Sequence, residues 1–361
     1  MNKINNYIFE LNNDDITKLK HESVLNVKKN IRWDTKDNKC ENESNSCNKD
    51  AVNNKTANSL RSSYKLEGIT LSNRYYLMNM IQDKKYTVIY KAKCLILNRC
   101  VMVEILKQKN EVNLDEFIVY DKLANNFIKG NQAIAVLNFP NVISVYDVGD
   151  DAGIKYSVRE STAGYTTLSE KFNEKGNKPF SLNKTLLCAK QIIRIIDSVY
   201  KHTAFLHCDI CPENIYLNQN GEIMLNYTFL SFDNNKTKTE AEICKIATIT
   251  VLHENYNYVY PEREPCLQSD MYSIGCVMFK MIFGHDVFEK ESQDMMSLLM
   301  AHLTKTPEFP KDYGNNVKQR LFNIVKRLLN KNSDNRYISF DELLADMNKI
   351  HTGFFEKFMN R

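Results

Sequence analysis

The first 160 residues combine a polar beginning with a series of short apolar runs. Five of these runs are rich in β-branched and aromatic residues and predict strands, at 75–81, 86–93, 100–106, 142–148 and 154–158. Between the third and fourth runs, apolar residues recur at helical spacing, which predicts one helix within 115–136. The pattern therefore predicts a small lobe made of strands and one helix.

From residue 176 onward, the spacing of apolar residues is helical almost throughout. Ser181 is a suitable N-cap for a long helix. The segment 271–283 is apolar on nearly every face, which indicates a helix buried inside a large lobe and ended by Gly284. Between these helices, two short apolar runs flank Asn220 and Gly221, and this arrangement is typical of a β-hairpin.

Two amphipathic helices are predicted near the end of the chain, at 317–330 and 340–350. The second begins with Ser339 and Glu342 at the spacing of a capping box. A strand-rich lobe followed by a larger helical lobe predicts an α+β fold with two lobes. We expect the smaller lobe to cover 73–160 and the larger lobe 161–352, with 353–361 as a C-terminal end.

Residues 1–72 differ in composition from the rest. The stretch 34–63 contains no aromatic residue and is dominated by Asn, Lys, Ser and Asp, so it cannot bury enough apolar surface to offset the entropy of ordering. Residues 1–72 are therefore predicted to be a disordered tail. Two alternatives exist for its start: a frayed end, or a short docking helix with apolar residues at helical spacing, namely Ile4, Tyr7, Ile8 and Leu11.

Composition excludes several classes of protein. Of the 361 residues 43% are hydrophobic, so a fully disordered chain is excluded, and the formal net charge of +4 gives no basic field for nucleic acid. No apolar run approaches the roughly 20 residues of a membrane span, and the start lacks a secretion signal. We expect a cytoplasmic protein. Cys208 and Cys211 have C-x-x-C spacing, but no second pair completes a zinc site.

The segment from His207 to Asn214 reads HCDICPEN and resembles the catalytic loop H-R-D-x-x-x-x-N of protein kinases. Further segments resemble other motifs of bacterial (PASTA-type) serine/threonine kinases in the right order, at 140–149, 260–262, 269–275 and 328–336. The resemblance covers residues 74 to about 350. It implies a two-lobed kinase fold in which ATP and Mg²⁺ bind between the lobes.

The motifs that hold the nucleotide depart from this family. Its glycine-rich loop lets backbone amides approach the phosphates, but Gln82, Lys84 and Thr87 stand at the three glycine positions. The family's phosphate-binding lysine corresponds to Glu104, whose charge would repel phosphates. The usual glutamate partner of that lysine corresponds to Gly130, unless an insertion shifts the register.

The metal site and the adenine slot are altered as well. Asp209 and Asn214 of the catalytic loop are kept, but Tyr227 replaces the metal-binding aspartate and is a poor ligand for a hard cation. Arg159 stands at the gatekeeper position just before the hinge, where Glu160 follows, and a long cation there would intrude on the slot that adenine needs.

The residues that hold the larger lobe together match the family. The resemblance implies a buried ion pair between Glu262 and Arg336, and hydrogen bonds from the backbone of the catalytic loop to Asp270. By contrast, Cys208 replaces the arginine that senses phosphate on the activation segment, and Cys211 replaces a lysine that contacts the γ-phosphate. The architecture is kept while the nucleotide chemistry is lost.

Three hypotheses follow from these differences. The first is a pseudokinase that needs no cofactor and binds a protein partner, for example an active kinase, as a regulatory module. The second is an unorthodox ATP- and Mg²⁺-dependent kinase or nucleotidyl transferase, in which Asp209 works with a relocated lysine from the set Lys84, Lys85 and Lys91. The third places the function in the tail, with the kinase-like body as a platform.

Overall fold

The computed structural model describes residues 66–109, 120–233, 255–262, 264–310 and 316–350. Most of the predicted tail, including its docking helix, lies outside the described residues, as do the C-terminal end and the first residues of the helix expected at 115–136. All described residues belong to one compact unit.

The N-terminal lobe is a six-stranded sheet in which every neighbouring pair is antiparallel, in the order β1-β2-β3-β4-β6-β5. The strands are β1 (Thr70–Leu71), β2 (Tyr75–Asp83), β3 (Thr87–Cys94), β4 (Arg99–Leu106), β5 (Val145–Asp151) and β6 (Ile154–Glu160). All five predicted strands are therefore present. The short β1 begins before residue 73, inside the segment assigned to the tail, because Leu71 is buried in the core of the sheet.

A single described helix, α1 (Tyr120–Ile134), packs against β5 and β6. Its apolar residues include Leu123 and Phe127, which lie in a small cluster with Tyr86 of the turn between β2 and β3 and Leu106 of β4. Leu230, from the segment that follows the catalytic region, completes this cluster. The helix thus connects the sheet to the second lobe.

The C-terminal lobe is mainly helical. Its helices are α2 (Leu168–Glu174), α3 (Leu182–Thr203), α4 (Leu267–Phe283), α5 (Met295–Thr304), α6 (Asn316–Leu328) and α7 (Phe340–Asn348). A three-stranded sheet contains β7 (Tyr165–Thr167), β9 (Ile215–Asn218) and β10 (Ile223–Leu225), while β8 (Phe205–Leu206) pairs with β11 (Phe232–Asp233). β9 and β10 form the predicted hairpin around Asn220 and Gly221.

The helix α4 lies at the centre of this lobe, as its apolar sequence predicts. Thirteen of its residues are buried, and at Gly275 an added Cβ would come within 2.9 Å of the side chain of Leu328 on α6. The helix ends at Gly284, whose φ of +81° is the left-handed conformation that glycine adopts most readily. The predicted cap of α3 is also present, because Ser181 Oγ accepts a hydrogen bond from the Lys184 N–H.

The capping box predicted at α7 is present in altered form. Ser339 Oγ accepts a hydrogen bond from the Glu342 N–H, but the Glu342 carboxylate accepts from the N–H of Ile338, one residue before the cap. These elements confirm the predicted two-lobed α+β fold. Within the described residues, no helix combines the length and apolar character that crossing a membrane requires.

Candidate functional site in the cleft between the lobes

The loop that resembles a catalytic loop leaves β8 and is anchored from below by α4. Asp270 accepts hydrogen bonds from the backbone N–H groups of His207 and Cys208, each at 2.8 Å. Cys208 has a φ of +60°, a conformation that costs a residue with a Cβ about 1–2 kcal/mol. Because both oxygens of a buried carboxylate hold this turn, α4 fixes the direction in which the loop enters the cleft.

Asp209 is held by two donors within the lobe. Asn214 Nδ2 lies 2.9 Å from Asp209 Oδ2 and 2.9 Å from its carbonyl oxygen, and Thr228 Oγ1 donates to the same Oδ2 at 3.0 Å. The structure thus brings the two retained residues of the catalytic motif together. The residue that faces Asp209 from the following segment is Thr228, whose part in the site was not recognised from the sequence.

Tyr227, predicted from the sequence to stand at the position of the family's metal-binding aspartate, points into the core. Its side chain is buried, and its ring packs against that of His207 with centroids 4.4 Å apart. Burial raises the pKa of its hydroxyl well above the ordinary value, and the nearby charge of Asp270 raises it further. A neutral phenol packed against an imidazole offers no anionic ligand to a cation.

The centre of the cleft contains a buried ion pair between the two strands β4 and β6. Arg159 Nη2 lies 3.1 Å from Glu104 Oε2, and both side chains are at most 3% exposed. Glu104 Oε1 also accepts a hydrogen bond from Thr87 Oγ1 at 3.0 Å. Glu104 and Thr87, predicted at the family's lysine and third glycine, therefore bind each other, and Glu104 also binds Arg159, predicted at the gatekeeper position.

Arg159 extends this pair into a network across the lobes. Its Nη1 donates to Asn226 Oδ1 at 2.9 Å and to the carbonyl oxygen of Tyr227 at 2.8 Å, and its Nη2 donates to Asn131 Oδ1 at 2.6 Å. The first two acceptors follow β10, and Asn131 lies on α1. The guanidinium thus joins the sheet, the helix and the segment beside the catalytic loop.

Asn131 and Asn226 were missed at the level of sequence. Both are buried, and Asn131 Nδ2 donates in turn to the carbonyl oxygen of Phe127 at 2.8 Å. A signal was available: a gatekeeper arginine needs several acceptors once it is buried. Asn131 immediately follows Gly130, the residue aligned with the usual partner of the family's lysine. The acceptor for the cation is therefore one residue further along α1.

Gly130 itself lies against the backbone that follows β10. An added Cβ at this position would come within 2.3 Å of the carbonyl oxygen of Phe229 and 2.8 Å of its Cα. Phe229 packs edge-on against Phe127 of the same helix, with ring centroids 5.5 Å apart. The approach of α1 to this segment therefore leaves no space for a side chain at residue 130.

The turn between β2 and β3, where the family has its glycine-rich loop, is closed by its own contacts. The N–H of Lys84 donates to the carbonyl oxygen of Thr87 at 2.9 Å. Lys107 Nζ donates to the carbonyl oxygen of Lys84 at 2.5 Å and pairs with Asp83 at 2.6 Å. Tyr86 at the tip is fully buried. The turn is thus held by contacts within itself and to Lys107, and by the burial of Tyr86.

The three lysines considered as replacements lie in different surroundings. Lys85 Nζ donates to the hydroxyl of Tyr256 at 3.2 Å, and Lys91 is exposed on β3. Lys84 lies closer to the cleft, since its charge acts on the pKa of Cys211 and of Tyr216. The charge of Lys84 therefore acts on Cys211 of the catalytic loop.

The outer part of the cleft holds a cavity of about 280 Å³. It lies between the sheet and the C-terminal lobe and is lined by Ile81, Gln82, Ile89, Met102, Thr162, Tyr165, Thr167, Ser169, Glu170, Asn173, Glu213 and Tyr216. Glu160, expected at the hinge, does not line this cavity, because its backbone N–H and its carboxylate both bond to the backbone of Ser144. Of the three altered glycine positions, Gln82 is the one in the lining of this cavity.

The structural residues of the larger lobe form a connected set. Arg336 is buried and forms an ion pair with Glu262, and it also donates to the carbonyl oxygens of Gln268 at 2.6 Å and Asn330 at 2.8 Å. Ser269 Oγ donates to the second oxygen of Glu262 at 2.9 Å. The start of α4 is thereby connected to the segment that precedes α7.

The residues present do not match the requirements of Mg²⁺ and ATP. A kinase holds the metal with an aspartate and an asparagine and the phosphates with a lysine, whereas here Asn214 is joined by a buried tyrosine, and a glutamate replaces the lysine. Across the described ranges, no group of three or more His, Cys, Asp or Glu residues could hold a metal ion.

Burial raises the pKa of the Cys208 and Cys211 thiols well above their usual value.

Comparison with known proteins agrees with this architecture. The family model described as "Protein kinase domain" matches residues 83–347. Similar curated proteins include a probable serine/threonine-protein kinase of Clostridium perfringens, 28% identical, and the serine/threonine-protein kinase PrkC of Bacillus subtilis, 27% identical. Each match covers 78% of this chain, and 39% and 41% of the respective relative. Serine/threonine-protein kinase PknB of Mycolicibacterium smegmatis is 24% identical, over 78% of this chain and 44% of that protein.

The chain belongs to the protein kinase family, and it resembles the bacterial serine/threonine kinases in particular. It spans about two fifths of the length of the curated relatives named above.

Proposed function

We propose that the protein is a pseudokinase, a member of the kinase family that acts by binding protein partners and that transfers phosphate poorly or not at all. The observation that carries this proposal is the buried network of Arg159 with Glu104, Asn131 and Asn226. In the family, a lysine of the sheet reaches the phosphates, and here a glutamate on that strand is neutralised by an arginine of the same protein.

Two physical arguments support the proposal. A phosphate placed near Glu104 would compete with its carboxylate for Arg159, and like charges at close range repel by several kcal/mol at an effective dielectric near 20. In addition, Asp209 Oδ2 already accepts hydrogen bonds from Asn214 and Thr228. Both groups are stabilised by partners within the chain, so neither requires a nucleotide or a metal.

The experiment that tests the proposal measures phosphotransfer directly. Purified protein is incubated with labelled ATP and either Mg²⁺ or Mn²⁺, and the Asp209→Asn variant serves as the matched control. We expect equal background incorporation in both proteins, and no ATP-induced rise in melting temperature at millimolar nucleotide. Incorporation that disappears in Asp209→Asn would contradict the proposal.

An unorthodox kinase remains the second candidate, favoured by the position of Lys84. Its charge acts on Cys211 of the catalytic loop, so its ammonium could take the part of the missing lysine toward a phosphate. Under this alternative ATP and Mg²⁺ would bind, and Lys84→Ala would abolish binding while Lys91→Ala, at an exposed position of β3, would not. A titration of ATP by calorimetry with both variants separates the two functions.

For the regulatory part of the proposal, we expect the partner to be an active protein kinase. The support is the C-terminal lobe, which retains the structural residues of the kinase family. Among them, Asp270, Glu262 and Arg336 form the contacts described above. The test adds increasing amounts of this protein to a related active serine/threonine kinase and follows the rate of substrate phosphorylation. A rate that stays constant over a hundredfold excess would remove the support for regulation of that kinase.

A further inference from the structure

The turn between β3 and β4, residues 95–98 and here called the β3–β4 tip, carries three exposed apolar side chains in a row. Leu95, Ile96 and Leu97 are 49%, 71% and 54% exposed, and none of them belongs to an apolar cluster of the described residues. Turns are usually built from glycine, proline and small polar residues. A single exposed apolar side chain needs no explanation, whereas an adjacent group of them indicates an interaction site.

The backbone of the β3–β4 tip is held by the sheet. Cys94 and Arg99 are paired at the ends of the two strands, so only four residues form the turn. The N–H of Leu95 donates to the carbonyl oxygen of Arg74 at 2.8 Å. Asn98 has a φ of +50°, a left-handed conformation that asparagine tolerates in turns. The apolar side chains are therefore presented at the end of a hairpin whose shape is set by its own strands.

The strands that lead to the tip are basic. Between Asp83 and Glu104 the sequence contains five basic residues and no acidic residue. Three of the five lie near the tip on β3 and β4 and are exposed, namely Lys91, Lys93 and Arg99. Within the part of the chain that the structure describes, none of these three cations forms an ion pair. Their charges are therefore available to an external anion.

The carboxylates of the neighbouring strands are directed to other groups of the same lobe. Asp147 of β5 accepts a hydrogen bond from the hydroxyl of Tyr75 at 2.7 Å and pairs with Arg74 at 3.4 Å. Glu160 of β6 accepts a hydrogen bond from the N–H of Ser144 at 3.3 Å. The end of the sheet that carries the tip thus combines an apolar turn with unpaired positive charge.

We propose that the β3–β4 tip binds the surface of a lipid bilayer that contains anionic lipids. The three apolar side chains enter the boundary between headgroups and acyl chains, and the basic residues behind them contact the lipid phosphates. A protein partner is a poorer fit, because a specific interface buries about 800 Å² on each partner, and the tip offers only three side chains. Nucleic acid offers phosphates but leaves the apolar side chains in water.

Sedimentation with vesicles tests this inference. The full chain is mixed with vesicles of equal parts phosphatidylglycerol and phosphatidylcholine, or with vesicles of phosphatidylcholine alone, and the fraction of protein that sediments is measured against lipid concentration. We expect the anionic vesicles to bind the protein more tightly by about tenfold or more, because the basic residues contribute only there. Added salt should weaken this binding by screening the charges.

Variants of the apolar side chains assign the binding to the tip. A triple variant should lower the affinity for anionic vesicles by about tenfold or more, and it consists of Leu95→Ser, Ile96→Ser and Leu97→Ser. Leu187→Ser changes a single exposed leucine of α3, serves as the matched control and should bind like the unchanged protein. Melting curves verify that each variant is folded.

Variants of the charged residues separate the position of the charge from its amount. Lys93→Gln with Arg99→Gln should lower the affinity for anionic vesicles by about tenfold. Lys178→Gln with Lys290→Gln removes the same charge at exposed positions outside the sheet and should lower the affinity much less.

Fluorescence reports whether the tip itself enters the bilayer. The chain contains a single tryptophan, Trp33, which lies outside the described residues. In a Trp33→Phe background, the emission of Ile96→Trp should shift to shorter wavelength when anionic vesicles are added, because the indole leaves water. Leu187→Trp in the same background should show no shift.

Three results would overturn the inference: no binding to anionic vesicles, equal binding by the triple serine variant, or an Ile96→Trp emission that vesicles do not change. A second copy of the chain is the other possible occupant. A dimer that becomes monomeric in the triple serine variant, without binding to vesicles, would assign the tip to self-association and would also overturn it. The inference goes beyond the proposed function and does not depend on it, since these assays contain neither nucleotide nor protein partner.

Discussion

Arg159 on β6 and Glu104 on β4 meet at 3.1 Å in the interior of the cleft, with no more than 3% of either side chain exposed. Each charge has further hydrogen-bond partners, Thr87 for the carboxylate and Asn131 and Asn226 for the guanidinium. When one member of such a buried pair is removed, the other charge stays buried without a partner, and this lowers the free energy of unfolding strongly.

Removing one member of this pair should therefore destabilise the protein strongly. For Arg159→Met we expect a loss of about 3–5 kcal/mol in the free energy of unfolding, because Glu104 stays buried without its counter-charge. The measurement is unfolding by urea, followed by circular dichroism. As a control, Lys155→Met breaks the more exposed pair with Asp150 and should cost less than about 1 kcal/mol.

The double variant Glu104→Gln with Arg159→Met should lose less than the sum of the two single losses. The double variant removes both charges. What remains is the loss of hydrogen bonds to the amide oxygens of Asn131 and Asn226, which costs less than a buried unpaired charge. A double-mutant cycle gives the interaction energy. Losses that simply add would show that the two side chains do not stabilise each other.

Restoring an aspartate at residue 227 should not restore a metal site. The side chain of Tyr227 packs on His207 and lies near the charge of Asp270, so Tyr227→Asp buries a carboxylate beside another carboxylate and is expected to lower stability. Thr228→Asp instead places a carboxylate next to Asp209, 3.0 Å from the present hydroxyl. Melting curves with and without Mg²⁺ should show stabilisation by the metal in Thr228→Asp alone.

This comparison has a clear opposite outcome. If Tyr227→Asp gains the larger Mg²⁺-dependent shift, the segment after β10 can turn its residue 227 toward Asp209, and the inward position of the tyrosine is not fixed by its packing.

Ala204, which ends α3, should be improved by glycine. Its φ of +56° lies in the left-handed region, where a Cβ costs about 1–2 kcal/mol. We expect Ala204→Gly to raise the free energy of unfolding by roughly 0.5–1 kcal/mol. Ala163→Gly, an exposed alanine without a positive φ, is the control and should not stabilise. A lower stability for Ala204→Gly would mean that lost packing outweighs the relieved strain.

Stability should fall in mild acid because of His302. Burial, assisted by the charge of Lys331, lowers the pKa of His302 from 6.5 to about 3, and the hydroxyl of Tyr272 lies 3.0 Å from its Nδ1. Between these two pKa values the unfolded chain binds the additional proton, so the contribution is complete above pH 6.5 and is lost as the pH falls toward 3. The slope reaches at most about 1.4 kcal/mol per pH unit.

The check is urea unfolding at several pH values between 7 and 4. His302→Gln should flatten the dependence on pH, whereas His202→Gln, at an exposed position of α3, should leave it as it is. An unchanged slope in His302→Gln would assign the acid sensitivity to other groups.

Much of the fold could be predicted from the sequence, because burial produces a regular spacing of apolar residues. Helix α4 is the clearest case: its sequence is apolar on nearly every face and its position is central. The predicted hairpin is present for a similar local reason, since Asn220 and Gly221 separate two apolar runs. The predicted start of the N-terminal lobe at residue 73 falls after β1. This strand is only two residues long, which is too short to show a regular spacing of apolar residues.

The candidate site was predictable only in part. Glu104 and Arg159 were each identified as departures from the family, but their contact depends on the pairing of β4 with β6 and on the direction of both side chains. The acceptor Asn131 lies one residue beyond the aligned position, and no local pattern distinguishes it from other asparagines of this asparagine-rich chain. The inward turn of Tyr227 follows from packing against His207, which is distant in sequence.

The contact of Gly130 with the backbone of Phe229 has a consequence for any attempt to rebuild an enzyme from this chain. The sequence aligns the glutamate that pairs with the family's lysine with this residue, unless an insertion shifts the register, and no side chain can be inserted there unless α1 moves away. Reintroducing lysine and glutamate together should therefore displace a whole helix. The lack of space at residue 130 therefore adds to the change of charge at Glu104 as an obstacle to phosphate binding.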